Sequence, residues 1–215
     1  MSRPRDTISD MNSSHEPTPP VTQTPQSPEF GGTYPVSLSD ALAPSATLTR
    51  AKLAAKAKLI ASLAHIGQID AIGAPYAGHL MRTTARAVSI NGRLATEDQL
   101  DRFDVEAAAL LHDTCEDADV TIEQLLIAGI SHDVVEAVTL LTHGKNEQRE
   151  TYLRRLSGSR LATLVKIADT LDNSDPVRLR AITDPTRRAR LTTKYDGQLD
   201  FLIASTNGWI TRSLI

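Results

Sequence analysis

An adjacent pair, His112-Asp113, follows the apolar run Ala107-Ala108-Ala109-Leu110-Leu111. A run of that composition belongs in a core, so two polar groups arrive at the mouth of a buried segment and need partners. A divalent cation satisfies both. Successive residues on a helix point about 100° apart, so both reach one ion only near a helix end or over a cleft. Two other stretches supply matching ligand types. His79 closes Gly73-Ala74-Pro75-Tyr76-Ala77-Gly78-His79, and Asp169 lies inside Lys166-Ile167-Ala168-Asp169-Thr170-Leu171-Asp172-Asn173. Two imidazoles and two carboxylates suit Mn²⁺, Fe²⁺ or Zn²⁺ better than Ca²⁺ or Mg²⁺, which prefer oxygen. Four protein ligands on an octahedral ion leave room for water and a phosphate oxygen.

The neighbours of these residues extend the chemistry. Glu116 and Asp117 stand just after Asp113, where a carboxylate can take a proton from, or orient, a water activated by a metal. Asn173 follows Asp169 by one helical turn and shares its face, so its amide can hold that water or a substrate oxygen. Lys166 can pair with Asp169 or meet a phosphate. Arg82 and Arg86 continue the His79 face and are candidate phosphate contacts. Taken singly, each has a plain structural reading. A His-Asp pair is common, Glu116-Asp117 reads as a solvated helix end, and Asp169 with Asn173 as surface. Leu164, Val165, Ile167 and Ala168 around Asp169 argue against the last. His65 reads equally as a site or a core histidine, and His143 as a loop histidine beside Leu141-Thr142. Cys115 reads as a small buried filler, since nearby carboxylates disfavour a thiolate. Arg187, Arg188 and Arg190 read as a solvated helix face, and Trp209 as packing for the C-terminal segment.

Helices position all of these. Leu48, Leu53, Ala57, Ile60 and Ala64 make a stripe at helical spacing that Gly67 ends. A second helix starts near Tyr76, carries His79 and ends at Asn91-Gly92. A third spans 96–111, broken near Asp104. Further helices are expected over 121–128, 132–141, 147–156, 160–173 and 184–204. Strand-like alternation does not persist, and Ala and Leu are frequent while aromatic residues make up 4% of the chain, which favours an all-α fold. Residues 1–45 hold Pro17, Pro19, Pro20, Pro25, Pro28 and Pro35 among Ser, Thr and Gln. Such a stretch buries too little apolar surface to offset its ordering entropy, so a disordered arm is expected there, ahead of one domain over 46–215.

The bulk properties exclude several classes. A net charge of −3 without a basic stripe argues against a general nucleic-acid binder. A single cysteine rules out a disulfide framework within the chain and suits the reducing cytoplasm. No apolar run approaches the ~18 residues of a membrane span, and no apolar stretch follows Arg3 and Arg5 as in a secretory leader.

The order His79 … His112-Asp113 … Asp169 resembles the HD phosphohydrolase superfamily. The finer pattern is similar to the hydrolase domain of RelA/SpoT alarmone enzymes and of small alarmone hydrolases. Ala64-His65-Ile66-Gly67-Gln68, Gly73 to His79, Ala109 to Asp117 with Thr121, and Lys166 to Asn173 carry the resemblance, which covers about residues 50 to 205. It implies an α-helical bundle. It also implies metal ligands at His79, His112, Asp113 and Asp169, a catalytic acidic pair at Glu116 and Asp117, and a site asparagine at Asn173. Mn²⁺ is the implied metal, and the implied reaction is removal of the 3′-pyrophosphate of (p)ppGpp. The chain departs from that family at Asp70-Ala71, where alarmone hydrolases carry an Arg-Lys pair, and at Thr170 and Asp172, where they carry Arg and His. An acidic Asp70 and Asp172 are expected to repel a highly anionic tetraphosphate. The expected partner is therefore a small nucleotide, with (p)ppGpp and other nucleotides both open. Two other classes are a non-catalytic HD-fold nucleotide sensor and an interaction protein working through the N-terminal arm. The sequence leaves the oligomeric state open.

Overall fold

Ser37 opens the first helix with a capping box. Its hydroxyl accepts from the Asp40 amide, and the Asp40 carboxylate accepts from the Ser37 amide. The four-residue helix that follows, α1 (Leu38–Ala41), buries Ala41 against the core. A computed structural model provides the structure and describes residues 36–46 and 48–215. Of the arm expected over 1–45, residues 1–35 lie outside the described residues, and the part from Val36 onward carries α1.

The remaining helices are α2 (Arg50–Ala64), α3 (Tyr76–Arg93), α4 (Arg102–Leu111), α5 (Thr114–Asp117), α6 (Ile122–Ile127), α7 (His132–Leu141), α8 (Arg149–Leu156), α9 (Arg160–Asn173), α10 (Pro176–Ala181) and α11 (Pro185–Ser205). Short 3₁₀ turns cover Thr96–Asp98 and Arg212–Leu214. Among the described residues there is no strand, only one isolated bridge between Ile69 and Pro75. The all-α expectation holds.

Helix α4 is the centre of the bundle. It packs against α2, α3, α7 and α9, and Val105 and every residue from Ala107 to Leu111 are buried. From Ala107 to Leu111 the helix is apolar on every side, which only an interior position allows, and its three alanines let neighbouring backbones come close. The expected break near Asp104 falls slightly earlier, because the Asp101 carboxylate caps α4 by accepting the amides of Phe103 and Asp104. Between helix and turn, Asn91 holds the 94–101 connection to α3 by a two-way bond with the Leu100 backbone at 2.9 Å each. Helix α10 was not expected. It is short, Asp175 caps it, Pro176 opens it, and it buries little beyond Leu179.

Two turns need glycine. Gly73 has φ +80° in the loop before α3, where the Asp70 carboxylate accepts the amides of Ile72 and Ala74. Gly129 has φ +84°, and a side chain there would meet the Ala46 carbonyl at 2.8 Å. The connection from α1 to α2 crosses that spot, pinned by the Ser45 amide on the Ile127 carbonyl at 3.0 Å.

Candidate metal centre

Each ligand candidate comes from a different helix, and the bundle core brings them together. His79 lies one turn into α3, His112 ends α4, Asp113 begins the α5 turn, and Asp169 is in the last part of α9. His79, His112 and Asp169 are all buried. One ligand atom from each lies within 4.8 Å of the others, a spacing that could hold a metal ion. His79 Nε2 stands 3.4 Å from Asp169 Oδ1, and His112 Nε2 3.7 Å from the same oxygen. Asp113 joins them, its Oδ2 3.5 Å from His79 Nε2 and 2.8 Å from His112 Nε2.

The donor set fits a divalent cation. Both imidazoles have their Nδ1 engaged elsewhere, His79 on Asp172 Oδ2 and His112 on the Ala109 carbonyl, each at 2.8 Å. That arrangement directs Nε2 of both rings toward one point. His112 Nε2 is buried and faces two carboxylates, Asp113 at 2.8 Å and Asp169 at 3.7 Å, and a cation among them would satisfy all three. Burial opposes charge on both rings, yet hydrogen bonds and charge from Asp113 and Asp169, with Asp172 also bonded to His79, raise His79 to about 11 and His112 to about 9. The imidazoles outweigh burial at Asp113, and the Lys166 ammonium together with both imidazoles outweighs it at Asp169, holding both carboxyls well below their usual range. Metal binding at such a site displaces protons.

The acidic pair forms the rim. The amides of Glu116 and Asp117 both bond the Asp113 carbonyl, so the turn is built on the backbone of a candidate ligand. Glu116 Oε2 accepts the His143 amide at 3.0 Å. Partial burial and the charges of Asp113 and Glu116 push the Asp117 carboxyl up to about 6. Tyr76 links ligand to rim, its hydroxyl 2.5 Å from Asp113 Oδ2 and 3.2 Å from Asp117 Oδ2. Burial and both carboxylates keep the phenol protonated, so it donates. Gln68 holds the Asp117 carbonyl at 2.7 Å and takes His65 Nδ1 at 2.7 Å. Burial lowers the basicity of His65, which stacks on Tyr76 with ring centroids 4.9 Å apart. A cleft of about 390 Å³ opens beside Glu116 and Asp117, walled also by Leu38, Gln68 and Asp119.

The expected phosphate cations are committed to carboxylates. Lys166 Nζ pairs with Asp169 Oδ2 at 2.8 Å, and Asn173 Nδ2 donates to Asp169 Oδ1 at 2.6 Å. Arg82 pairs with Asp172 at 2.8 Å, and Arg86 with Asp175 at 2.9 Å. Asp70 and Asp172 are likewise neutralised, so the repulsion expected of them is replaced by ion pairs. Cys115 is half-buried, and burial pushes its thiol up to about 11. Arg160 lies over the Trp209 ring, 4.6 Å from its centroid. Reasoning from sequence alone missed the role of Tyr76, and it read Asp172 as repulsive to substrate rather than as the acceptor for the His79 ring. Tyr76 stood inside a quoted motif, but nothing in the sequence pairs it with a residue as distant as Asp117.

Residues 76–174 match the HD domain family. They are an HD domain. The match runs from the first residue of α3 to just past α9 and takes in all four ligand candidates, Glu116, Asp117, Lys166 and Asn173. No curated protein matches the chain. Among solved structures, the chain is similar to a metazoan ortholog of SpoT that hydrolyzes ppGpp and plays a role in starvation responses. Identity is 25%, the TM-score is 0.50, and the match covers 77% of this chain and 100% of that one. Among the described residues, no helix is long and apolar enough to cross a membrane.

Proposed function

We propose that this HD-domain chain is a metal-dependent phosphohydrolase that cleaves a phosphoester or pyrophosphate in a small nucleotide, with 3′-pyrophosphate removal from (p)ppGpp as the nearest reaction. One observation carries the reading. Nε2 of His79, Nε2 of His112 and Oδ1 of Asp169 converge within 4.8 Å, with Nδ1 of both rings bonded away from that point. Similarity to a ppGpp-hydrolysing structure supports the substrate class.

His79, His112, Asp113 and Asp169 hold the metal, and Mn²⁺ is the proposed ion. When bound, it supplies Lewis acidity, which makes water nucleophilic near neutral pH and draws charge from a phosphoryl group. Asp117 takes the proton of the attacking water, its raised carboxyl being matched to that task. Glu116, fixed by the His143 amide, orients the water. Asn173 steadies Asp169 and keeps its own carbonyl oxygen for a substrate hydroxyl. Arg82, Arg86 and Lys166 act on substrate through the carboxylates they hold. Direct phosphate contact falls to Arg149 and Lys194, neither of which makes an ion pair among the described residues. Arg149 bonds only the Lys194 carbonyl and Gln198. Burial, Arg149 and Lys166 push the Lys194 ammonium down while Asp169 pulls it up, so Lys194 sits within the field of the metal centre. The catalytic unit takes in α1 as well as the expected 46–215, because Ala41 packs into its core and Leu38 walls the cleft, and residues 1–35 are dispensable for turnover. The unpaired cysteine supports a cytoplasmic setting.

The test is release of phosphate or pyrophosphate from (p)ppGpp and a panel of nucleotides by the purified full chain with Mn²⁺. Cleavage abolished by chelation supports the proposal. Stoichiometric metal with no cleavage turns it toward a nucleotide sensor, and absence of metal binding overturns it. A charge-assisted hydrogen bond is worth about 1.5–3 kcal/mol. Arg149→Ala and Lys194→Ala should therefore each raise KM about tenfold or more, and an unchanged KM in both would remove them from the substrate site.

A further inference from the structure

Asp172 is fully buried, and a carboxylate so placed persists only with charged or donor partners. It has three close ones. His79 Nδ1 lies 2.8 Å from Oδ2, Arg82 Nε lies 2.8 Å from Oδ1, and Arg178 Nε approaches Oδ2 at 3.4 Å. Arg178 continues outward, its Nη1 2.8 Å from Asp70 Oδ2. Asp70 is anchored in turn by the amides of Ile72 and Ala74 in the loop that enters α3. A continuous path therefore runs from that loop, through α10, to α9 and onto the His79 ring. Its two outer members, Asp70 and Arg178, lie outside the 76–174 segment that matches the HD domain.

We infer that Asp70, Arg178 and Asp172 form a relay of positioning residues that locks the His79 imidazole with Nε2 facing the metal centre. The inference rests on the metal reading above. An imidazole that gives one nitrogen to a metal needs a hydrogen on the other, and the acceptor on that side sets tautomer, ring orientation and ligand basicity. A carboxylate is the stronger acceptor. His112 has only the Ala109 carbonyl in that role, so the two imidazoles are tuned differently. Asp172 can serve only if it neither turns nor loses its charge. Arg82 donates to both its oxygens, Arg178 adds a buried positive charge 3.4 Å from Oδ2, and Asp70 keeps Arg178 in place at the cost of a cation that would otherwise be free for substrate.

The experiment is Mn²⁺ titration of the full chain by calorimetry, with thermal unfolding of the metal-free protein measured alongside. Asp172→Asn should weaken Mn²⁺ binding about 10–100-fold, the usual effect of removing a ligand's orienting partner. Arg178→Met should weaken it less, and should add nothing in the Asp172→Asn background, because coupled residues are not additive. A merely structural role would lower the unfolding temperature and leave the dissociation constant of the folded protein unchanged. That result, or full additivity, overturns the relay. Should Asp172→Asn fail to fold, Asp70→Asn at the outer end carries the same expectation with a smaller loss. Should the parent chain bind no Mn²⁺, the metal reading is what fails, and nitrogen NMR of His79 decides the relay. A bonded Nδ1 proton that Asp172→Asn releases keeps it, and a His79 spectrum unaffected by the variant overturns it.

Discussion

Asp113→Ala should remove stoichiometric Mn²⁺ binding and nucleotide cleavage together, in a protein that still folds. Asp113 Oδ2 faces both candidate imidazoles, at 3.5 Å and 2.8 Å, so its loss takes away a ligand rather than a support. The effect should exceed the roughly 10–100-fold that an orienting partner commands. Folding should survive because the α5 turn is built on the Asp113 carbonyl, which accepts the Glu116 and Asp117 amides, and the carbonyl remains in alanine. The Tyr76 hydroxyl loses its nearer acceptor but keeps Asp117 at 3.2 Å. Calorimetric metal titration, circular dichroism and phosphate release on the same preparation check this. A folded variant with full metal content and turnover would place the reaction elsewhere in the molecule.

Asp117→Asn should separate the base from the metal. Turnover should fall about 10²–10⁴-fold, the usual contribution of a positioned general base, while Mn²⁺ affinity stays within a few-fold of the parent. The pH profile gives the sign. Asp117 titrates at about 6, and the base is its unprotonated form. Activity is therefore present above that pH and lost as pH falls through it. A bound cation favours the carboxylate, so the acidic limb of kcat/KM should lie at or below pH 6 in the loaded enzyme. The limb should vanish in Asp117→Asn. A profile with the same acidic limb in the variant would assign the proton transfer to another group, with Glu116 the next to replace.

The helices that carry the ligands were legible in the sequence because their burial is strongly patterned. α3 and α9 begin and end close to their expected bounds, and α4 reads as interior from its unbroken apolar run. Elements with little to bury were not legible. α1 offers the core one alanine and α10 one leucine, so neither makes a stripe, although Ser37-x-x-Asp40 and Asp175-Pro176 are readable starts. The candidate ligands were legible through residue type and through resemblance. Lys166 with Asp169 was readable as a pair because both share a turn of one helix. The pairings of Arg82 with Asp172 and of Arg178 with Asp70 were not, since they join residues 90 and 108 positions apart. That is why Asp70 and Asp172, as isolated acidic residues, read as repulsive to an anion. With their guanidinium partners they are a neutral internal framework.

The lone thiol has a practical bearing. Cys115 sits in the α5 turn between Asp113 and the acidic pair, half-buried, and burial pushes its thiol up to about 11. Thiolate, not thiol, attacks maleimides and iodoacetamides. At neutral pH the native chain should therefore label slowly with such dyes and faster once unfolded, which a timed thiol titration checks. A cysteine introduced on an exposed helix face, at Ser39 for example, would be the faster-labelled position without any need to delete the natural one. A fluorescent reporter of ligand arrival at the neighbouring cleft, which Leu38 of α1 helps to wall, can therefore be placed on α1 with the α5 turn left unaltered.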